Sequence, residues 1–343
     1  MGMKIGISIV VCCYNSAQRL KRTLESISQL CVPDHVDAEL IIVDNNSTDD
    51  TSELAAACWR TSNNGCIPFC VHNESTLGLS AARRKGVAVS AYEYLLFCDD
   101  DNWLDRDYLV YTAQMVEANP SLGILGGRSE AVFETAPPAW FKLVAAKYAV
   151  GDRSTKKEFK WIAGAGMVVK KEIFQKMDLL NYDFLLSDRK GSALSTGGDH
   201  ELCFMARMMG YRIMYDSRLF FKHFIPAGRL TWDYYKRMEK GRIDSQVVLD
   251  MYEILYSSKD NKSKPFFLKC YFLILAKNLS AAKHLSSLFL KRTGQSQTEQ
   301  KIKEQVSTLK MQYNLSKAWS ILLSSSDLKF QYDRITKLLS QLG

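Results

Sequence analysis

Three consecutive aspartates, Asp99, Asp100 and Asp101, follow directly on the apolar run at residues 94–98. Consecutive carboxylates repel one another, and a loop has no folding reason to collect them. A hard divalent cation does supply a reason: it takes oxygen ligands, commonly one or two carboxylates plus phosphate oxygens. Such an ion can bridge a pyrophosphate and take up charge on a departing phosphate. A second apolar run, residues 39–43, also ends in an acid, Asp44. A third acidic pair, Asp199 and Glu201, follows Gly197 and Gly198, where a carboxylate could act as a general base toward an attacking hydroxyl. His223, in the apolar stretch Phe220-Phe221-Lys222-His223-Phe224, is a histidine that a cation could recruit. Each group also has a plainer use. Asp99, Asp100, Asp101 and Asp199 could cap helices, and a histidine among apolar neighbours is more often structural.

The elements that must position these residues follow from hydrophobic periodicity. Residues 5–11 form a short, β-branched, continuous run, as a strand buried on both faces does. Further strands are predicted at 39–43, 68–72 and 94–98, and helices at 16–30, 48–60, 80–90 and 105–117. Strands alternating with helices imply an α/β fold with a mostly parallel, Rossmann-like sheet and helices on both faces. Ligands in such sheets bind beyond the carboxyl ends of the strands. The strand ends at Asp44 and at the aspartate triplet should therefore share one crevice. Beyond these, strands are predicted at 123–127, 162–169, 211–215 and 219–223, and a helix at 198–210. Residues 179–198 form a polar stretch too long for a simple connector and are read as a functional loop. From Leu230 onward the chain reads as helical.

These motifs, in this order, resemble the family 2 glycosyltransferases, whose catalytic domain has the GT-A fold. The resemblance rests on Ile9 to Asn15, on Ile41 to Asp49, on Leu77 to Arg83, on Leu96 to Asn102, and on Gly198 to Leu202 with Arg207, Gly210 and Tyr211. It implies a nucleotide-sugar site built from Tyr14, Asn15, Asp44, Arg83, Asp99 and Asp100. Asp44 would recognise the base, and Asp99 would hold ribose or a metal-bound water. Asp101 would bind a divalent metal, Mn²⁺ or Mg²⁺, with His223 as a second ligand. Asp199 would be the catalytic base of an inverting transfer. The family often has Glu before that Asp, and here Gly198 stands in its place, which leaves Glu201 as an alternative base and His200 as a further acceptor contact. Arg84 stands where the family commonly has Asn. There is no QxxRW motif and no apolar run of membrane-spanning length, so addition of a single sugar is expected rather than processive synthesis. UDP is the nucleotide that the resemblance implies. The acceptor is expected to be a saccharide or a lipid-linked saccharide, as in bacterial surface polysaccharide synthesis.

Two regions are therefore expected: a GT-A catalytic domain at 1–229 and a helical region at 230–343. The net charge of +8 resides in the second, which holds roughly 19 basic against about 10 acidic residues. Residues 264–292 interleave aromatic and aliphatic residues with lysines. That pattern suits a membrane interface, or equally a helix packed on the catalytic domain or on a second copy in a homodimer. No nucleic-acid-binding module is recognisable. Nine cysteines without a CxxC pair suit reduced thiols and a cytoplasmic location, at most peripheral on the inner face of the membrane. There is no GxxxxGK[ST] loop, no GxGxxG after the first strand, and no GxSxG or HExxH. The competing readings are a sugar nucleotidyltransferase, which should carry a glycine- and basic-rich N-terminal loop, and a non-catalytic protein on the same fold.

Overall fold

The computed structural model describes residues 4–62, 67–156, 158–186, 196–257, 268, 270–280, 297–323 and 325–342. Its first half alternates as the periodicity requires: β1 (Ile5–Cys13), α1 (Leu20–Ser28), β2 (Val36–Asp44), α2 (Thr51–Ser62), β3 (Phe69–Asn73), α3 (Leu79–Val89) and β4 (Tyr94–Asp99). There follow β5 (Asn102–Leu104), α4 (Tyr108–Ala118), β6 (Leu122–Phe133), β7 (Met167–Lys170), α5 (Glu172–Leu179), α6 (Gly198–Met208) and β8 (Arg212–Ile225). The chain then continues through α7 (Trp232–Ser257), α8 (270–280), α9 (Gln297–Leu323) and α10 (Ser325–Leu342).

One sheet runs β3-β2-β1-β4-β7-β6-β8-β5. Its first four strands are parallel. Beyond β4 it becomes mixed, with β7 antiparallel to both neighbours, β6 parallel to β8, and β5 antiparallel to β8. The inner strands read as unbroken apolar runs because each face feeds a different core. Ile7, Ile9, Val11, Leu40, Ile42 and Leu96 join the core beneath α1, α2 and α4. Val10, Ile41, Val43, Leu95 and Phe97 face the opposite side, among residues of α5 and α6. That second core continues without a break into α7 to α10 through Val247, Met251, Ile274, Ile321 and Ile335. The helical character expected after Leu230 is thus present in the described residues, packed as a further layer on the sheet side.

Several boundaries differ from the sequence reading, for physical reasons. β5 has three residues, too few to display a period. The strands expected at 211–215 and 219–223 are one long strand, β8, whose pairing with β6 shifts register between Gly126 and Arg128. β7 begins only at Met167, because Ile162 and Gly164 belong to the loop before it. The stretch 179–198 is preceded by helix α5, and residues 187–195 of it lie outside the described residues. The segment 264–292 is described only at 268 and 270–280.

A small aromatic core, containing Phe141, Tyr148, Tyr234 and Tyr235, joins the turns at 141–148 to α7. Beside it Glu239, with a fully buried side chain, takes ion pairs from Lys147 and Arg242. Burial alone would raise the Glu239 carboxyl. Arg242 and Lys147 outweigh it and bring the group down to about 2. Burial in turn pushes Lys147 down to about 8, partly offset by Glu239. The stability that Glu239 contributes is therefore fully present above its unfolded value near 4.5, and is lost as pH falls toward 2. Glu239→Gln leaves the partly buried Lys147 and Arg242 without their carboxylate and should cost about 1.5–3 kcal/mol at neutral pH. Urea unfolding should show that loss, and the difference between variant and wild type should shrink between pH 4.5 and 2. A difference independent of pH would contradict the assignment.

Candidate active site

The parallel register sets the site's frame. Cys13 lies level with Asp44, and Cys12 with Asp99, so both strand-end aspartates emerge on the same sheet edge, on either side of β1. A cavity of about 780 Å³ opens there. Its wall includes Tyr14, Arg83, Asp99, Asp100, Asp101, Asp199, His200 and His223. Most of the residues singled out in the sequence therefore meet in one place.

The three aspartates are held differently. Asp99 lines the cavity. The Asp100 carboxylate, largely buried, accepts hydrogen bonds from the Ser16 hydroxyl and from Arg19 at 2.5 Å, tying the strand end to the start of α1. Asp101 is 2% exposed. Arg229 donates to its Oδ2 at 2.6 Å, and Nε2 of His223 stands 3.6 Å from its Oδ1. Burial would lower the Arg229 guanidinium, but Asp101 raises it above its ordinary value. The β5–β8 ladder accounts for this meeting. Asn102 pairs with His223, and the Phe224 amide donates to the Asp101 carbonyl at 2.8 Å.

A divalent cation fits this arrangement. The 3.6 Å between Asp101 and His223 exceeds a hydrogen bond. Two ligands about 2.1 Å from one ion can lie up to about 4.2 Å apart. Among the described residues no group of three or more His, Cys, Asp or Glu side chains could hold a metal ion. Asp101 and His223 would supply two protein ligands at most, and other ligands would have to complete a shell.

Asp44 and Asn15 are placed at the edge of the cavity rather than in its wall. The Asp44 carboxylate accepts from the Ser47 amide at 3.0 Å and from the Ser52 hydroxyl at 2.5 Å, closing the turn after β2. Asn15, in the left-handed region at φ 49°, accepts the Thr48 amide at 2.8 Å and so braces the same turn. Asn45 lines the cavity and accepts the Gly78 amide at 2.7 Å, which fixes the start of α3. From α3, Arg83 lies over the Phe97 ring, 5.3 Å from its centroid, and its guanidinium fills the space beside Gly164 that a side chain there would need.

At the start of α6, Gly197 adopts φ +118°, a conformation suited to glycine. The Asp199 carboxylate then faces the cavity, accepting the Gly164 amide at 3.0 Å. His200 stacks on Trp161 with ring centroids 3.9 Å apart. Burial holds the His200 imidazole below its ordinary value, with Asp199 pulling the other way. Glu201 does not share the cavity. It is fully buried and accepts hydrogen bonds from the hydroxyls of Tyr182 and Tyr252 and from the amides of Leu185 and Leu186, at 2.6–2.8 Å. These four donors engage its carboxylate away from the cavity wall that Asp199 lines, an arrangement that suits a structural acid.

Sequence reasoning did not select Arg19, Asn45, Trp161 or Arg229 as site residues. Asn45 stood inside a quoted motif. The other three carry no local signal, since each is recruited by tertiary packing.

Residues 8–178, about half of the chain, match the model of Glycosyl transferase family 2. The chain belongs to that family. A poly-beta-1,6-N-acetyl-D-glucosamine synthase of Staphylococcus epidermidis is 31% identical over 122 residues, 36% of this chain and 28% of that one. Its counterpart in Staphylococcus aureus N315 is 27% identical over 122 residues. The chain thus matches just over a quarter of the length of these curated relatives. Among solved structures, the mannosyltransferase PcManGT from Pyrobaculum calidifontis, in complex with GDP-Man and Mn²⁺, matches with TM-score 0.52 at 16% identity. The match covers 98% of this family 2 chain and 86% of the mannosyltransferase. TarS 1-349 of S. aureus, in complex with UDP-GlcNAc, matches with TM-score 0.50 at 15% identity, over 98% of this chain and 90% of that one. These likenesses support the GT-A-type fold.

A Cβ at Gly164 would come within 2.5 Å of the Arg83 guanidinium, a movable group. Gly164→Ala should therefore keep the fold but push Arg83 off the wall. On the reading proposed below, in which Arg83 contacts the nucleotide, losing that one charge-assisted contact, worth about 1.5–3 kcal/mol, should weaken nucleotide binding roughly tenfold or more. Calorimetric titration with UDP checks this, with an unchanged melting temperature as control.

Proposed function

We propose that the chain is an inverting, metal-assisted glycosyltransferase that moves one sugar from a nucleotide-sugar, a UDP-sugar, to a saccharide or lipid-linked saccharide acceptor. The observation that carries this reading is the shared cavity: the Asp199 carboxylate opens into the same space as Asp99, Asp101 and His223. Donor and acceptor chemistry can then meet in one chamber.

In this reading the nucleotide lies at the carboxyl ends of β1, β2 and β4, against Tyr14, Asn45 and Asp99, with Asp44 approached at the turn. Asp101 and His223 would hold Mn²⁺ or Mg²⁺, with Asp99 on a bound water. When bound, the cation supplies positive charge for the departing diphosphate. Arg83 adds fixed positive charge on the same wall. Across the cavity, Asp199 accepts the proton of the acceptor hydroxyl. The hydroxyl oxygen bonds to the anomeric carbon as the bond from that carbon to the phosphate oxygen breaks, and the nucleoside diphosphate leaves with the electron pair. Attack from the face opposite the nucleotide inverts the anomeric centre. The Gly164 amide on Oδ2 and the His200 amide on Oδ1 fix the carboxylate's direction, and each oxygen keeps a second lone pair for the acceptor's proton.

The outer faces of the C-terminal helices support a surface-bound enzyme. Leu315, Trp319 and Leu322 recur at helical spacing on α9 and are 46%, 65% and 49% exposed, and Phe272 and Phe330 are each 61% exposed. Among the described residues no helix is long and apolar enough to cross a membrane. With the basic excess of this region, that face suits the anionic inner surface of a cell membrane carrying a lipid-linked acceptor. A homodimer is the competing occupant. The eight described cysteines are all free thiols, in keeping with a cytoplasmic site.

Asp199→Asn should lower turnover by about 10²–10⁴ while UDP affinity stays near wild type. Nucleoside diphosphate release, with mass spectrometry of the product to count the sugars added, is the measurement. Full turnover in that variant would rule out Asp199 as the base. Asp101→Ala should abolish the dependence of UDP affinity on Mn²⁺, and calorimetry with and without the metal reads it directly.

A further inference from the structure

Three buried polar atoms at the cation site have no hydrogen-bond partner among the described residues: Nδ1 of His223, and both Nδ2 and Oδ1 of Asn102. Asn102 is 0% exposed and His223 7%. The two residues are Cα partners in the β5–β8 ladder. Side chains of directly opposed residues leave the same face of a sheet, with Cβ atoms about 4.5–5.5 Å apart. The two side chains therefore leave the same face of the ladder side by side.

Each unmet buried polar atom forfeits its hydration with nothing in return. An asparagine with both ends of its amide unmet, next to a histidine with one nitrogen unmet, is a costly arrangement for a strand of three residues to keep. One small ligand meets all three needs. A buried water takes two to four polar partners, and this pair offers three. A water there can accept the Nδ1 hydrogen and donate to the Asn102 carbonyl oxygen.

We propose that Asn102 is the positioning residue for His223. Through one buried water its amide holds the imidazole in the Nδ1–H tautomer, so that Nε2 directs its lone pair toward the space beside Asp101. This rests on the reading that Asp101 and His223 hold a divalent cation. A neutral imidazole has one hydrogen. Placed on Nε2 it would point at the cation, whereas placed on Nδ1 it leaves Nε2 free to ligate. Metal-ligating histidines generally donate their other N–H to a second group, and among the described residues Asn102 is the polar side chain paired with His223 across the ladder. Asn102 acts on the cation only through the histidine, and this separates it from Asp101.

The test is Mn²⁺ binding to the full chain at saturating UDP, followed by the electron paramagnetic resonance signal of free Mn²⁺. Asn102→Leu should weaken Mn²⁺ binding about 10–100-fold. Its melting temperature should fall modestly, because the buried Nδ1–H of His223 is left without the partner that the water and the amide supply. Asn102→Asp, which keeps an acceptor, should bind Mn²⁺ much as the wild type does. His223→Gln and the double variant Asn102→Leu/His223→Gln should bind alike, since the asparagine has nothing left to position. Wild-type affinity in Asn102→Leu, or a further loss in the double variant, would overturn the proposal while leaving the cation site standing. Wild-type affinity in His223→Gln would overturn the cation reading itself, and the proposal with it. Should Asn102→Leu not fold, nitrogen NMR of the wild type with Mg²⁺ and UDP decides: a protonated Nδ1 on His223 supports the proposal, and a protonated Nε2 refutes it.

Discussion

The site depends on a backbone ladder three residues long. β5 (Asn102–Leu104) pairs with Phe221, Lys222 and His223 of β8. The aspartates come from the end of β4 and the histidine from near the end of the last strand, so nothing local brings them together. The ladder does, and the hydrogen bond from the Phe224 amide to the Asp101 carbonyl extends it to the acid itself. Because β8 also pairs with β6 along most of its length, the short β5 rests on a strand fixed from its other side.

Three adjacent carboxylates persist because the fold distributes them. Asp100 turns to Arg19 and Ser16, Asp101 to Arg229 and His223, and Asp99 to the cavity. Burying a charge is expensive unless it is paired, and each of the two buried acids has its own guanidinium. A run of negative charge in the sequence becomes, in space, three groups pointing in three directions.

Much of the frame was legible because the inner strands are buried on both faces. Such strands give continuous β-branched runs, and the acids that end them stand out by contrast. Asp199 and Glu201 show where legibility stops. Both open the same helix, two residues apart, and either could be a base on sequence grounds. At about 100° per residue they point to different sides. One enters the cavity, and the other is taken up by Tyr182 and Tyr252, from distant parts of the chain. No local pattern records which side faces the core. Arg229 and Trp161 were missed for the same reason, and β5 because three residues cannot show a period. Asp44 was legible as a strand end, but nothing in the sequence marked Ser47 and Ser52 as the serines that engage it.

The continuity of the core from the sheet into α7 to α10 bears on how the chain is made. Phe204 of α6 packs on Tyr252 of α7 at 4.7 Å, and Arg207 pairs with Glu253 at 2.8 Å. Met238, Arg242 and Leu249, also on α7, form part of the cavity wall. A nascent chain that has left the ribosome only as far as β8 therefore owns the strand ends and their aspartates but lacks one side of the chamber. It also presents the outer face of α6 uncovered, the kind of transient apolar surface that invites misassociation during synthesis. Translation order thus sets a sequence of events in which the strand-end aspartates are laid down first and the chamber closes last.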